Sequence, residues 1–203
     1  MNKIKKTRRS RPRTFDRDQA VDTAMRLFWR HGYEGVSLND LTAAIGVAPP
    51  SIYAAFGSKA DLYREALDHY FGLPDAVKVL GTANTLEESV ERLLRSAVDA
   101  VIDPAGERGC MISSGMIQCG ADHAELAREL AARRSMMHCL IADGLRLWLD
   151  QERSVSLARY LVTILQGLSV QARDGASREE LMQVCDETIA GLKARGIMRS
   201  SDG

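Results

Sequence analysis

The chain has 203 residues, which suits one large domain or two small ones. Hydrophobic residues make up 45% of it and aromatic residues only 5%, so we expect a core of aliphatic side chains and methionine. The 27 basic and 27 acidic residues balance, which argues against a uniformly basic nucleic-acid binder and against an acidic disordered chain. The balance hides an asymmetry, because residues 1–60 contain 11 Lys and Arg against 5 Asp and Glu. Such a split is typical of a small nucleic-acid-binding unit joined to a larger domain.

The cysteines indicate free thiols in a reducing compartment. They lie at positions 110, 119, 139 and 185, with no CxxC spacing and no histidine at a zinc-type offset, so we predict no metal and no cofactor. The chain begins MNKIKKTRRSRPR, without the apolar segment of a secretion signal. Its uncharged stretches are shorter than the ~20 apolar residues that span a membrane. A cytoplasmic protein without membrane contact is therefore expected.

Apolar residues recur at helical spacing along the whole chain, which predicts an all-α fold of about nine helices. Residues 1–13 are predicted to form a basic arm, 14–73 a three-helix helix-turn-helix domain, and 74–203 a larger helical domain, for which the family resemblance given below implies effector binding and dimerisation. Within the last domain, capping boxes are predicted at Thr85, Asp122 and Ser177. A short helix is expected over 111–119, and long helices are expected over 122–149 and from about Ser154 to Asp174.

Two short predicted helices separated by a Gly-containing turn occur in the segment SLNDLTAAIGVAPPSIYAAFGSK, residues 37–59. This is the spacing of a helix-turn-helix. A residue that precedes proline is disfavoured in the α conformation, so we expect Pro49 at an extended N-cap and Pro50 at the first helical position. Ile52 and Phe56, which are four residues apart, are then expected to point inward.

The outward residues of the second helix carry groups that suit DNA. The Ser51 hydroxyl can bond a base or phosphate, the Ala54 methyl can contact a thymine methyl, and the Tyr53 hydroxyl can bond a phosphate. Lys59 lies at the next helix N-terminus, where the helix dipole favours phosphate, and arginines of the arm can enter a minor groove. A generic helical hairpin is the alternative. The predicted DNA contacts are Arg11, Arg13, Thr14, Ser37, Pro49, Pro50, Ser51, Tyr53, Ala54 and Lys59.

Residues 14–71 resemble the DNA-binding domain of the tetracycline-repressor (TetR) family of bacterial regulators. The resemblance rests on FWRHGYEGVSLNDLTAAIGV and on PPSIYAAFGSKADLYREAL, in the order of their small, apolar and aromatic positions. It implies a homodimer that binds double-stranded operator DNA, a small-molecule effector bound by the C-terminal domain, and phosphate contacts by Tyr53 and Lys59. Two positions depart from the family pattern, since Ala48 stands where a Ser or Thr cap is usual and Ala55 where a phosphate-contacting His is frequent.

The last two predicted helices carry apolar stripes that make them the candidates for pairing two copies. An intrachain core is the alternative explanation of the same stripes, and the packing typical of the family favours the dimer. The predicted interface residues are Leu157, Leu161, Ile164, Leu165, Leu168, Leu181, Val184 and Leu192.

Soft side chains are concentrated in RGCMISSGMIQCG, residues 108–120. Met-rich linings suit adaptable apolar pockets, although ordinary core packing is the alternative for each residue. Arg108 and Cys110 also resemble a segment of some family members in which the cysteine reacts with electrophiles or oxidants. There Arg108 would lower the pKa of Cys110, and a buried, unreactive cysteine is the alternative that we favour. The predicted pocket residues are Phe71, Cys110, Met111, Met116, Cys119, Met136, Met137 and Trp148.

These patterns, together with what the family resemblance implies, predict a homodimeric repressor that a small-molecule effector releases from a palindromic operator. The first alternative is a repressor switched by chemistry at the Cys110 thiol. The second is a helical ligand-binding or enzymatic domain without a DNA role. No enzyme activity is predicted, because the sequence lacks the GxxxxGK[ST], GxGxxG, HExxH and GxSxG motifs and its four histidines lie in separate segments.

Overall fold

A computed structural model describes residues 16–70, 79–117 and 119–197. In these ranges the chain is helical and contains no strand, as the sequence predicts. The nine α-helices described are α1 (Arg17–His31), α2 (Leu38–Ile45), α3 (Pro49–Phe56), α4 (Lys59–His69), α5 (Leu86–Val101), α6 (Met111–Ser114), α7 (Ala124–Leu145), α8 (Gln151–Arg173) and α9 (Arg178–Ala194). Two 3-10 helices cover Val79–Thr82 and Ala121–His123. The predicted arm, with Arg11, Arg13 and Thr14, and the predicted pocket residue Phe71 lie outside the described residues.

Side-chain caps determine where the helices of the N-terminal unit begin. Ser37 forms a capping box with Asp40 at the start of α2. Ser58 accepts a hydrogen bond of 3.0 Å from the Asp61 amide at the start of α4. Each cap satisfies an amide that would otherwise lack a partner in the first helical turn. The short turns between α2, α3 and α4 thus have the spacing expected of a helix-turn-helix.

Helix α3 begins one residue earlier than predicted. Its N-cap is Ala48, with φ −77° and ψ 150°, and Pro49 is the first helical residue. Ala48 itself precedes a proline, so it takes the extended conformation that the sequence analysis assigned to Pro49. Pro49 and Pro50 then occupy the first two helical positions, where a missing N–H removes no intrahelical hydrogen bond.

The segment after Cys110 forms a single helical turn, α6, and not the longer helix that was predicted. Gly115 leaves the helix with φ −72° and ψ 137°, and Met116 has a positive φ of 51°. Arg134 of α7 donates hydrogen bonds of 3.0 and 2.9 Å to the carbonyl oxygens of Ile112 and Gly115. Because these bonds satisfy carbonyl groups at the end of the turn, no further helical turn is needed.

The capping box predicted at Asp122 is wrong. Helix α7 begins at Ala124, and its N-cap, His123, makes no side-chain capping bond. The preceding residues form a 3-10 turn, which moves Asp122 away from the N-cap position. Helix α7 also ends four residues earlier than predicted, at Leu145. Helix α8 begins at Gln151, three residues ahead of the predicted start at Ser154, and Asp150 is its N-cap.

Helix α8 contacts α5, α6, α7 and α9 and so occupies the centre of the C-terminal domain. The amphipathic α5 directs Leu93, Leu94 and Val98 into this core, and α9 packs against α5. In the N-terminal unit, α1 packs against α2 and α4. The buried side chains of the two parts form one continuous cluster, so the described part of the N-terminal unit packs directly on the C-terminal domain.

A close approach at Gly109 predicts an unusually large effect of substitution. Gly109 has φ +83°, and an added Cβ would lie 2.5 Å from Cγ of Arg173 and 2.9 Å from the Ser169 carbonyl oxygen. Gly46 has a similar φ of +78° but open space around it, which makes Gly46→Ala a matched control. We expect Gly46→Ala to cost about 1–2 kcal/mol in the free energy of unfolding and Gly109→Ala to cost more. Equal losses in urea denaturation would contradict this packing.

Candidate nucleic-acid interface

Helix α3 buries one side and exposes the other, as its sequence spacing predicts. Ile52 is fully buried and Phe56 is 5% exposed, whereas Tyr53 is 50% exposed and Ser51 and Ala54 are also exposed. The second helix of a helix-turn-helix places its N-terminal side chains against base edges in the major groove. The predicted contact residues of α3 therefore share one accessible surface.

The N-terminus of α3 offers few amides to a phosphate. Pro49 and Pro50 carry no N–H, and the Ser51 N–H already donates to the Ala48 carbonyl oxygen at 2.9 Å. Free amides at a helix N-terminus are ordinarily what binds phosphate. Phosphate contacts near α3 must therefore come from side chains and not from its first turn.

Ser37 was predicted as a DNA contact, and its hydroxyl lies in the cap of α2. It donates a hydrogen bond of 2.6 Å to the Asp40 carboxylate and accepts one of 3.1 Å from the Asp40 amide. The bonds from Ser37 hold the pKa of Asp40 below its usual value. Since a phosphate accepts hydrogen bonds, the Ser37 hydroxyl would have to leave Asp40 in order to donate to one.

Lys59, predicted to contact phosphate, lies over an aromatic ring. Its Nζ atom is 4.2 Å from the ring centroid of Tyr33, within the range of a cation–π interaction. Burial lowers the pKa of Lys59, while the carboxylates of Glu34 and Asp40 partly oppose that shift. Sequence reasoning placed Lys59 at the N-terminus of α4 but missed Tyr33, because no local spacing relates the two residues.

The predicted pocket residues that the structure describes differ in their burial. Cys110, Met111 and Met116 are buried, Cys119, Met137 and Trp148 are half-buried, and Met136 is 63% exposed. A cavity between α6, α7 and α8 has a volume of about 10 Å³, which is room for about one water molecule. Of the predicted residues that the structure describes, only Met137 lines it, beside Ile112, Ser113, Arg134, Val162, Leu165 and Gln166. Met136 faces solvent, so its assignment to a pocket wall is wrong in this conformation.

Cys110 occupies the junction between the N-terminal unit and α8. Its backbone N–H donates to the Ser169 hydroxyl at 2.8 Å, and its thiol lies beside the Tyr70 side chain, at the end of α4. Burial, together with the neighbouring thiol, raises the pKa of Tyr70. Arg108 turns away from the thiol and donates to the carbonyl oxygen of Ala172 at 2.7 Å, near the end of α8. This corrects the expectation that Arg108 activates Cys110.

Most of the predicted dimer residues lie inside the single chain. Ile164 and Val184 are half-buried and reach the surface. Leu161, Leu165, Leu168 and Leu181 are buried within this chain, as the alternative of an intrachain core expects. Leu157 and Leu192 are also buried, but they line a groove between α8 and α9. An apolar stripe shows that a helix face is covered, but not whether the same chain covers it.

The C-terminal domain holds α1 through the loop between α5 and α6. The Trp29 indole donates to the Gly109 carbonyl oxygen at 3.1 Å, and Arg30 binds both oxygens of Glu107 at 2.9 and 2.7 Å. Arg173 of α8 donates to the Arg30 carbonyl oxygen at 2.9 Å, at the C-terminal end of α1. The end of α1 is therefore fixed to the C-terminal domain by both side-chain and backbone contacts.

A second set of contacts joins α4 to α7. The Arg64 guanidinium binds both oxygens of Glu129, with distances of 2.7 and 2.9 Å, and this bonding holds the pKa of Glu129 below its usual value. One turn further along, Arg133 pairs with Asp68. Helices α1 and α4 are thus held by different parts of the C-terminal domain.

The described residues show no group of three His, Cys, Asp or Glu side chains that could hold a metal ion. None of the described helices combines the length and the apolar character needed to cross a lipid bilayer.

Comparison with known proteins identifies the family. Residues 20–66 match the family model described as bacterial regulatory proteins of the tetR family. The chain is 33% identical over 199 residues to the HTH-type transcriptional repressor ComR of Escherichia coli (strain K12), with 92% of each chain covered. It is 32% identical over 179 residues to the repressor BdcR of the same strain, covering 84% of this chain and 86% of BdcR.

The solved structures agree. A cysteine mutant of the TetR-family regulator CifR, complexed with 26-bp double-strand operator DNA, matches with a TM-score of 0.82 and 38% identity. The match covers 89% of this chain and 98% of that one. These relatives are named as DNA-binding regulators and not as enzymes, so the alternative of a helical domain without a DNA role is wrong. The chain belongs to the TetR family of bacterial transcriptional regulators and is a DNA-binding repressor.

Proposed function

We propose that two copies of this repressor bind a palindromic operator and that a small-molecule effector releases them. The observation that carries the proposal is the accessible surface of α3, where Ser51, Tyr53 and Ala54 are exposed together. Two such helices spaced by about 34–36 Å enter successive major grooves on one side of the duplex. The 26-bp operator bound by CifR is long enough for two half-sites at that spacing.

The proposed contacts divide by chemistry. Ser51 and Ala54 contact base edges and determine which sequence is preferred. Tyr53 and Lys59 contact backbone phosphates and determine affinity and salt dependence. The arm adds contacts in the adjacent minor groove, through Arg11, Arg13 and Thr14.

The second copy is proposed to bind the face of α8 and α9 that is exposed in the single chain. Tyr160 is 41% exposed and Val170 is 46% exposed on α8. Gly167 and Gly191 have open space where a side chain would be, which permits close helix approach. A groove of about 440 Å³ between the start of α8 and the end of α9 has as its apolar lining Leu149, Leu157, Tyr160, Leu192 and Ile197. A second copy would bury this face in a four-helix arrangement.

Release by an effector follows from the two separate attachments of the N-terminal unit. The α5–α6 loop holds α1 through Gly109 and Glu107, while α7 holds α4 through Glu129. An effector that enlarges the small cavity between α6, α7 and α8 would shift the loop relative to α7. Both attachments would then turn the N-terminal unit and change the distance between the two α3 helices. The effector needs only to bind this second arrangement more tightly than the first.

Chemistry at Cys110 is a second candidate for the release step, and one contact favours it. The buried Cys110 thiol lies beside Tyr70, so a group added to the sulfur would displace the end of α4. Similar solved structures of CifR are of cysteine mutants complexed with operator DNA. Cys110 is only 1% exposed, however, so the segment must open before a reagent reaches the sulfur. For that reason we place effector binding first.

Removal of the Lys59 charge tests the phosphate contact. A 26-bp duplex selected from a random library by the wild-type protein serves as the probe. We expect Lys59→Ala to weaken binding to this duplex and to random duplexes alike. The slope of log affinity against log salt should fall by about 0.9 for each lost contact, so by about twice that in a dimer. Lys193→Ala is the control, because Lys193 lies on α9 and pairs with Glu87. Equal slopes for the two variants would contradict the contact.

The interface is tested by a charge on its open face. We expect Tyr160→Glu to sediment as a folded monomer, because a buried carboxylate without a partner disfavours association. Ile117→Glu, at an apolar residue that is 65% exposed in the loop after α6, should remain dimeric. Leu165→Glu should instead unfold the chain, since Leu165 is 3% exposed. A stable dimer of Tyr160→Glu would place the interface elsewhere.

Methyl methanethiosulfonate separates the two release mechanisms. The reagent forms a mixed disulfide with an accessible thiolate and releases methanesulfinate. We expect treated wild-type protein to stay on the selected duplex, because the exposed thiol is Cys139 and Cys110 is buried. Release of the wild type and of Cys139→Ser, but not of Cys110→Ser, would establish the thiol mechanism in place of the effector.

A further inference from the structure

Tyr33, in the loop between α1 and α2, is a point of contact between the two domains. It is 6% exposed, and its ring packs on Phe28 and Tyr63 within the N-terminal unit. His123, from the 3-10 turn before α7, contacts the ring edge-to-face, with centroids 4.9 Å apart and planes at 83°. Lys59 lies over the same ring, with Nζ 4.2 Å from the centroid. One ring thus contacts both the C-terminal domain and the lysine proposed to bind phosphate.

The residue beside Tyr33 makes a parallel connection. A carboxylate oxygen of Glu34 accepts a hydrogen bond of 2.8 Å from the backbone N–H of Gly120. The same carboxylate acts electrostatically on Lys59. The turn at residues 120–123 therefore contacts the ring of Tyr33 and the carboxylate of Glu34, two of the groups near the Lys59 ammonium; Asp40 is a second carboxylate near it.

A lysine ammonium needs such a platform if it is to occupy one position. The side chain has four rotatable bonds, and fixing them costs free energy that a phosphate contact would otherwise have to supply. A ring face attracts the ammonium without occupying all three of its N–H donors. Lys59 is also the first residue of α4, where the helix dipole already favours an anion.

We propose that Tyr33 is a positioning residue for DNA binding, which holds the Lys59 ammonium at the start of α4, and that the turn at residues 120–123 sets the position of the Tyr33 ring. This inference rests on the proposed phosphate contact of Lys59. Through the turn at residues 120–123, the C-terminal domain would act directly on the phosphate contact of Lys59. This effect is separate from the rotation of the whole N-terminal unit proposed above. Movement of the turn would displace the ring and free the lysine, so affinity would fall without any change in α3.

A double-mutant cycle on the selected 26-bp duplex tests the proposal. Tyr33→Leu removes the ring, and we expect it to weaken binding by about tenfold for the dimer and to lower the salt slope toward that of Lys59→Ala. Tyr33→Phe restores the ring and should recover most of the affinity. In the Lys59→Ala background, Tyr33→Leu should have no further effect, because it acts through the lysine. An equal loss in both backgrounds would show a purely structural role and overturn the proposal.

The cycle also separates this inference from the function on which it rests. If Lys59→Ala itself binds like Lys193→Ala, the phosphate contact fails. If Lys59→Ala is weak while Tyr33→Leu matches Tyr33→Phe, the contact stands and the positioning role fails.

A spectroscopic measurement covers the case in which Tyr33→Leu does not fold. Reductive ¹³C-methylation labels the lysines of the wild-type protein, and Lys59→Arg identifies the signal of Lys59. We expect that signal upfield of those from exposed lysines, because the nitrogen lies over a ring face. His123→Ala should move it toward the exposed position, whereas His123→Phe, which keeps an edge-to-face ring, should not. An unshifted Lys59 signal in the wild type would overturn the proposal.

Discussion

Helix α1 packs against the N-terminal unit with one side and against the C-terminal domain with another. The relative position of the two domains depends on these two contacts. Phe28 packs edge-on against Tyr63 of α4, with centroids 4.9 Å apart, inside the N-terminal unit. The next residue, Trp29, packs on Tyr70 at 4.8 Å and donates its indole N–H to Gly109 of the C-terminal domain. Adjacent residues of a helix point about 100° apart, so one helix can contribute to two cores. Because α1 packs on both domains, the orientation of α3 relative to the C-terminal domain is set by the packing of α1.

The same architecture explains how a chain without net charge can bind DNA. Basic residues are concentrated in the N-terminal part, while the rest carries the compensating acidic excess. Pro49 and Pro50 define the start of α3 but remove two amides from its first turn. In the proposed interface, affinity then comes from a small number of side chains, among which Lys59 stands out because its environment holds it in place. A binding surface of this kind is sensitive to the position of each charge, and small movements suffice to weaken it.

Sequence reasoning succeeded where the determinants are local. The capping box at Ser177 was predicted from four consecutive residues, and the outward face of α3 followed from helical spacing alone. It failed where distant residues decide. Arg134, which lies on α7, donates to a carbonyl oxygen at the end of α6, and no sequence pattern near residue 111 predicts this contact. The leucines of α8, such as Leu165, show the same limit, because burial within one chain and burial between two chains leave the same apolar stripe. The ring of Tyr33 under Lys59 is a third case.

The most direct test of the account is a hydroxyl-radical footprint of the wild-type protein on the selected 26-bp duplex, since it reports where the two recognition helices lie. The account predicts two protected segments related by two-fold symmetry, with centres about 10 base pairs apart on one side of the DNA. A single unsymmetrical protected segment at saturation would contradict the pairing of two α3 helices on which the proposed function depends.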